Sequence, residues 1–216
     1  MSARIMLVDD DPLVRSGLRL LLGGDPELAI VSEAPDGQAA LDTHRTEPVD
    51  MVLMDLRMPR LDGIAATAAF KSGPQPPAII VLTTFDADDY VVRALAVGAD
   101  GFLLKDTPPD EIVAAIKNVL AGRPALSPSI TAALIKQVVD GGGARSARAT
   151  DLVGSLTERE RDVAVELAGG ASNAEIAERL YMSLATVKAH ISHIFIKLNA
   201  TNRVQVAICM HDAGLA

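Results

Sequence analysis

The chain has 216 residues, is 49% apolar and carries a formal charge of −8, which suits one large or two modest domains with mainly aliphatic cores. Its single cysteine, Cys209, excludes an intrachain disulfide, and neither a signal-peptide core nor an apolar run near the ~20 residues of a membrane span is present, so a cytoplasmic protein with no membrane contact is expected. Up to Arg123, 11 basic residues face 19 acidic ones, and from Asp151 onward 6 face 8, so any DNA binding must rest on local placement rather than bulk charge.

The first half alternates apolar runs with amphipathic stretches. Buried strands are expected at Ile5–Val8, Ala29–Ser32, Met51–Met54, Ile79–Leu82 and Phe102–Leu104. Helices are expected after them at Pro12–Leu22, Gly37–His44, Asp62–Phe70, Asp88–Val97 and Pro109–Leu120. Five such units with short connections predict a flavodoxin-like (βα)5 parallel sheet covered on both faces. Two seams follow. GRPALSP at 122–128 breaks the pattern, and DGGGARSARATD at 140–151 reads as a flexible linker. Between them a short helix is expected at about 128–139. The second half shows no strand signal and reads as four helices, Thr157–Ala168, Asn173–Leu180, Ser183–Leu198 and Asn202–Asp212.

Chemistry concentrates at the strand ends. Asp9 and Asp10 follow the first strand, Asp55 the third, Thr83 the fourth and Lys105 the fifth. The carboxyl ends of parallel strands share one edge, where ligands bind, so these groups should converge. Three carboxylates supply hard oxygen ligands suited to magnesium, Asp55 can act as a nucleophile, and Lys105 and Thr83 can meet phosphoryl oxygens. Taken singly, Asp9 or Asp10 reads equally well as a helix N-cap and Asp55 as a turn residue, while Lys105 alone reads as a solvated lysine and Thr83 alone as a strand residue. The set in chain order favours a phosphorylated aspartate.

In the second half, Thr157 and Glu160 form a capping box, Gly169-Gly170 stops that helix, and Asn173 is expected to cap the next. Helix, short turn and helix follow, which is a helix-turn-helix layout. Val187, Ile191, Ile194 and Leu198 fall on one inward stripe. Ala185, Lys188, Ala189 and Ser192 fall on the outer face. Ser183 and Thr186 can donate to phosphates at the helix N-terminus, and Lys188 can read a guanine edge or bind phosphate. His190, His193 and Lys197 add contacts further along.

Residues 4–121 resemble a bacterial response-regulator receiver domain. The resemblance implies that Asp9, Asp10 and Asp55, with the backbone carbonyl of Arg57, bind Mg2+. It implies that Asp55 takes a phosphoryl group from a sensor histidine kinase, with Thr83 and Lys105 contacting it. It also makes Phe102 a switch aromatic, although a core aromatic would look the same. Lys105-Asp106 stands in place of the commoner Lys-Pro, and Asp11 where a subfamily often has His. Residues 156–211 resemble a LuxR-type DNA-binding domain. That likeness carries contact with double-stranded DNA onto Lys188, Ala189 and Ser192, with Ser183, Thr186 and His193 beside them.

Val204, Ala207 and Ile208, with Met210 as a further candidate, can form the seam of a homodimer, or simply close the helical core. Together the two likenesses describe a two-component response regulator of the NarL/FixJ type. The expected division is a receiver at 1–121, a linker at 122–154 and an all-α four-helix LuxR-type helix-turn-helix domain at 155–216. It would be a phosphoacceptor rather than an enzyme. A phosphorylation-independent LuxR-type transcription factor is a second reading. An Asp-nucleophile phosphatase is a third, weakened because Arg57 stands where such enzymes place a second Asp.

Overall fold

The computed structural model describes residues 2–84, 93–126 and 144–215. The chain divides into two compact units, one built on a sheet and one helical. In chain order the first unit holds β1 (Ala3–Val8), α1 (Pro12–Leu22), β2 (Leu28–Ala34), α2 (Gly37–Thr46), β3 (Met51–Met54) and α3 (Gly63–Lys71). It continues with β4 (Ala78–Thr83), β5 (Gly101–Leu104), α4 (Pro109–Leu120) and β6 (Ala125–Leu126). The helical unit holds α5 (Ala144–Gly154), α6 (Glu158–Ala168), α7 (Asn173–Arg179), α8 (Leu184–Lys197) and α9 (Arg203–Asp212). Among the described residues, no helix is long and apolar enough to cross a membrane.

The sheet is parallel, with order β2-β1-β3-β4-β5-β6. Side chains alternate across a strand, and here both faces are dry. Ile5 and Leu7 of β1, Met51 and Leu53 of β3, and Ile80 and Leu82 of β4 face one cluster with α1 and α4. Met6 and Val8, Val52 and Met54, and Ile79 face the other with α2 and α3. This double burial is why the strands read as unbroken apolar runs. Three helices open on aspartate caps: Asp11 accepts from Leu13, Asp36 from Ala39 and Asp62 from Ala65.

Most expected elements agree with the structure to within two residues at each end, but three readings need correction. The seam at 122–128 contains β6, two residues long and paired parallel to β5, too short to show any sequence period. The stretch at 140–151, read as flexible, contributes most of α5. Its Ala and Arg content favours helix, and Val153 and Leu152 join the core of the helical unit. The four helices expected within 155–216 are all present, and α5 precedes them in the segment read as linker. The cap of α7 is Ser172, which forms a capping box with Glu175, rather than Asn173. The expected helix at 128–139 lies outside the described residues, as do residues 88–92 of the helix expected at Asp88–Val97; 93–96 are helical.

The crossing from β3 into α3 is unusually tight. A Cβ built on Gly63 would stand 2.1 Å from the backbone oxygen of Asp55, so only glycine lets α3 start against the end of β3. Gly63→Ala should therefore lower the unfolding free energy by about 1–3 kcal/mol. Urea denaturation followed by circular dichroism measures this, and an unchanged midpoint would contradict the tight crossing.

Candidate functional site

The sheet order reverses beside β1, and the pairing register there decides what meets at its carboxyl edge. Val8 pairs with Met54, so the next residues, Asp9 and Asp55, emerge side by side. The Asp55 backbone N–H donates to the Val8 oxygen at 2.8 Å, which fixes that exit. On the other side Thr83 pairs with Leu104, and the Lys105 N–H donates to the Thr83 oxygen at 2.8 Å. Lys105 then reaches back to both acids. Its Nζ lies 2.5 Å from Asp9 Oδ2 and 3.0 Å from Asp55 Oδ1. The remaining oxygens take backbone donors: Asp9 Oδ1 accepts from Asp11 N–H at 2.9 Å, and Asp55 Oδ2 from Arg57 N–H at 3.0 Å.

Asp9 is 2% exposed and Asp55 6%, while Asp10 is open to solvent. Ligand oxygens of the three lie within 4.8 Å of one another. Burial pushes the Asp55 carboxyl above its ordinary pKa; Lys105 opposes that rise and the neighbouring Asp9 adds to it. Burial pulls Lys105 down, but its bonds to Asp9 and Asp55 outweigh it and hold the ammonium above its usual range. Three formal negative charges against one positive leave two uncompensated. A divalent cation with oxygen preference, Mg2+, matches that charge and that donor set.

Beside the acids lies a cavity of about 550 Å3, lined by Asp10, Leu56, Arg57, Met58, Pro59, Asp62, Ile64 and Arg93. It gives the exposed side of the crevice room for an incoming group. Thr83 closes β4 and is almost fully buried, whereas Thr84 is exposed. Phe102, on β5, is completely buried. Neither Asp9 nor Asp10 caps α1; Asp11 does.

In the helical unit, α7 and α8 are joined by a turn in which Tyr181 adopts a positive φ of 54°. Val187, Ile194 and Leu198 are buried and Ile191 packs against them. Ala185, Lys188, Ala189 and Ser192 are exposed on the opposite side. Ser183 caps α8, its hydroxyl 2.8 Å from that of Thr186 and 3.1 Å from the Thr186 N–H. Of the residues considered for a dimer seam, Val204 is buried within the unit and Ala207 and Ile208 are half-buried. Met210 belongs to the internal core and is unavailable for a seam.

Comparison with known proteins follows the same division. Residues 5–117 match the response regulator receiver domain, and 154–210 match the bacterial regulatory proteins of the luxR family. The nitrate/nitrite response regulator protein NarL of Escherichia coli (strain K12) is 34% identical over 212 residues, covering 97% of this chain and 95% of the relative. The nitrate/nitrite response regulator protein NarP of the same strain is 38% identical over 205 residues, covering 95% and 93%. Among solved structures, the response regulator ChrA of a heme-sensing two-component system is similar with a TM-score of 0.53 and 34% identity, covering 100% of this chain and 99% of that chain.

One residue with two duties escaped the sequence reading. Glu160 is more than a cap for α6: its Oε2 accepts from Thr157 N–H at 2.7 Å and also pairs with Lys197 Nζ at 2.6 Å. Lys197, expected among the DNA contacts, thus ties the far end of α8 to the start of α6. His193 Nδ1 lies 3.9 Å from the other Glu160 oxygen. The capping-box spacing was visible, but its partner 37 residues away was not. Lys197, with the Thr157 donors, holds the Glu160 carboxyl down from 4.5 to about 2. A depressed folded-state pKa gives stability that is complete above 4.5 and lost as pH falls through about 2. Glu160→Gln should therefore unfold more easily at neutral pH, and its gap to the parent should close between those limits. Thermal melts across that range test this; a gap that persists at the acid end would refute it.

Proposed function

Since the chain belongs to the two-component response regulators that join a receiver to a LuxR-type DNA-binding domain, we propose that it is a transcriptional regulator switched by phosphorylation of Asp55. The observation that carries this reading is the Lys105 ammonium set between Asp9 and Asp55 at the sheet edge. A sensor histidine kinase presents a phosphohistidine. An Asp55 oxygen attacks phosphorus, the P–N bond breaks, and the imidazole nitrogen leaves with the bonding pair. Magnesium, held by Asp9, Asp10, Asp55 and the Arg57 carbonyl, supplies neutralisation of the phosphoryl oxygens when bound.

Lys105 then exchanges its hold on Asp55 for a phosphoryl oxygen, and the Thr83 hydroxyl donates to another. Phe102 follows Thr83 and reorganises the surface around β4 and β5. The domain is a phosphoacceptor, with intrinsic autodephosphorylation at most. Arg57, two residues beyond the nucleophile, offers no acid–base group for rapid turnover.

In this reading the receiver at 1–121 and the output domain at 155–216 are joined by 122–154, the segment that carries β6 and α5. The output domain lays α8 in the major groove of double-stranded DNA. Ser183 and Thr186 meet phosphate at the helix N-terminus, Lys188 meets phosphate or a guanine edge, and Ala189, Ser192 and His193 complete the face. Phosphorylation favours a homodimer, with the half-buried Ala207 and Ile208 at its seam and Val204 packed beneath them, which matches paired half-sites on the operator.

Two measurements test these assignments. Asp55→Asn should fold as the parent does and take no label from a small phosphodonor such as acetyl phosphate; undiminished labelling would remove Asp55 as acceptor. Lys188→Ala should weaken DNA binding with helical content preserved. A phosphate contact would lower the salt slope by about 1 for all sequences, whereas a guanine contact would cost about 1–3 kcal/mol at one base position only. Superimposable titrations at fixed salt would exclude both.

A further inference from the structure

The loop joining β3 to α3 carries both the phosphoacceptor Asp55 and Arg57, and it forms part of the wall of the neighbouring cavity through Leu56–Pro59. The loop is fastened at several points. Gly63 N–H donates to the Leu56 oxygen at 3.0 Å, and Gly37 N–H donates to the Leu61 oxygen at 3.1 Å. The third fastening is an ion pair between Arg60 and Asp36. Two features set it apart from an ordinary surface pair.

Asp36 is fully buried although it is charged, and both its oxygens are used. Oδ1 accepts from the Ala39 N–H at 2.9 Å, which caps α2, and Oδ2 faces the Arg60 guanidinium. Arg60 has φ of 64°, the left-handed region that glycine adopts freely and arginine does not. A non-glycine residue held there is strained and persists only where its surroundings over-determine it. A glycine would relieve the strain at this position but would leave the Asp36 carboxylate buried with its cap alone. The strained arginine is therefore coupled to one partner at the start of α2, and neither residue lines the cavity.

We propose that Arg60 and Asp36 are positioning residues for phosphoryl transfer: their ion pair straps the β3–α3 loop to the start of α2, so that Asp55 and the Arg57 carbonyl keep the spacing that magnesium requires. The proposal rests on reading this crevice as the phosphoacceptor site. Partners that hold metal ligands in place are worth roughly tenfold or more in metal affinity. The strap sets where the ligands stand and touches neither the donor nor the phosphoryl group. Its effect belongs in the magnesium requirement, not in the maximum rate.

The test uses the full chain and three variants. Arg60→Gly accepts the left-handed backbone and removes the tie. Asp36→Asn keeps an oxygen for the Ala39 N–H and removes the charge. Arg60→Lys retains a cation. Magnesium affinity is read by titration calorimetry, and acetyl phosphate labelling is measured across a magnesium series. Arg60→Gly and Asp36→Asn should each weaken magnesium binding roughly tenfold. Their half-saturation for labelling should rise in step, the maximum rate should stay near the parent's, and Arg60→Lys should recover part of the loss. Parent-like magnesium affinity in both variants would overturn the strap, even with a lowered melting temperature, because a purely structural tie predicts that pattern. If the parent binds magnesium but takes no label, the phosphoacceptor reading fails, and the calorimetric comparison still decides the strap.

Discussion

The structure turns on one ammonium group between two carboxylates. Asp9 and Asp55 are forced together by the β1–β3 register, both are nearly dry, and like charges in such a place repel more strongly than in water. Lys105 offsets part of that repulsion by contacting both. It does so from β5, whose backbone is bonded to Thr83 at the end of β4. The compensation of charge on one side of the sheet is thus mechanically joined to strands on the other. Any event that draws Lys105 away from Asp55 acts directly on the β4–β5 edge.

The acids and the strands that present them were legible because parallel strands buried on both faces are written as uninterrupted apolar runs with a polar residue at the exit. Met51–Met54, Pro12–Leu22 and Pro109–Leu120 agree residue for residue with the sequence reading, each having an abrupt change of polarity or a proline at its edge. What was not legible depends on partners far away in sequence. β6 exists because β5 offers it hydrogen bonds, and α5 is held because Val153 has a core to enter. Glu160 is readable as a cap but not as the partner of Lys197. Arg60 looks like one more exposed cation until its backbone angle and its buried partner are known.

The helical unit solves a separate problem. Its segment has no cationic excess, so DNA recognition cannot rely on bulk attraction. Placement substitutes for charge. The α8 N-terminus brings its dipole and the Ser183 and Thr186 hydroxyls to one end of a face on which Lys188 is exposed. Lys197, the other cation of that helix, is spent on Glu160 inside the unit. Ala185 and Ala189 keep the face narrow and neutral, so on the proposed reading discrimination among operators would fall largely on Lys188 and on the shape of the DNA.

The charge balance at the crevice also limits how the signal can travel. Three carboxylates and one ammonium leave two negative charges, which one divalent cation cancels. Phosphorylation then replaces the single charge of Asp55 with about two. The net change is about one unit, beside a bound cation and at a solvent-exposed edge where the Debye length is ~10 Å or less. On the proposed reading, what changes in kind is the bonding: Lys105 and Thr83 would gain acceptors that the unmodified carboxylate does not offer in those positions. A ligand shifts an equilibrium only through contacts that differ between its two states. Those contacts would lie at the ends of β4 and β5, which pair with each other, and the proposed switch starts there.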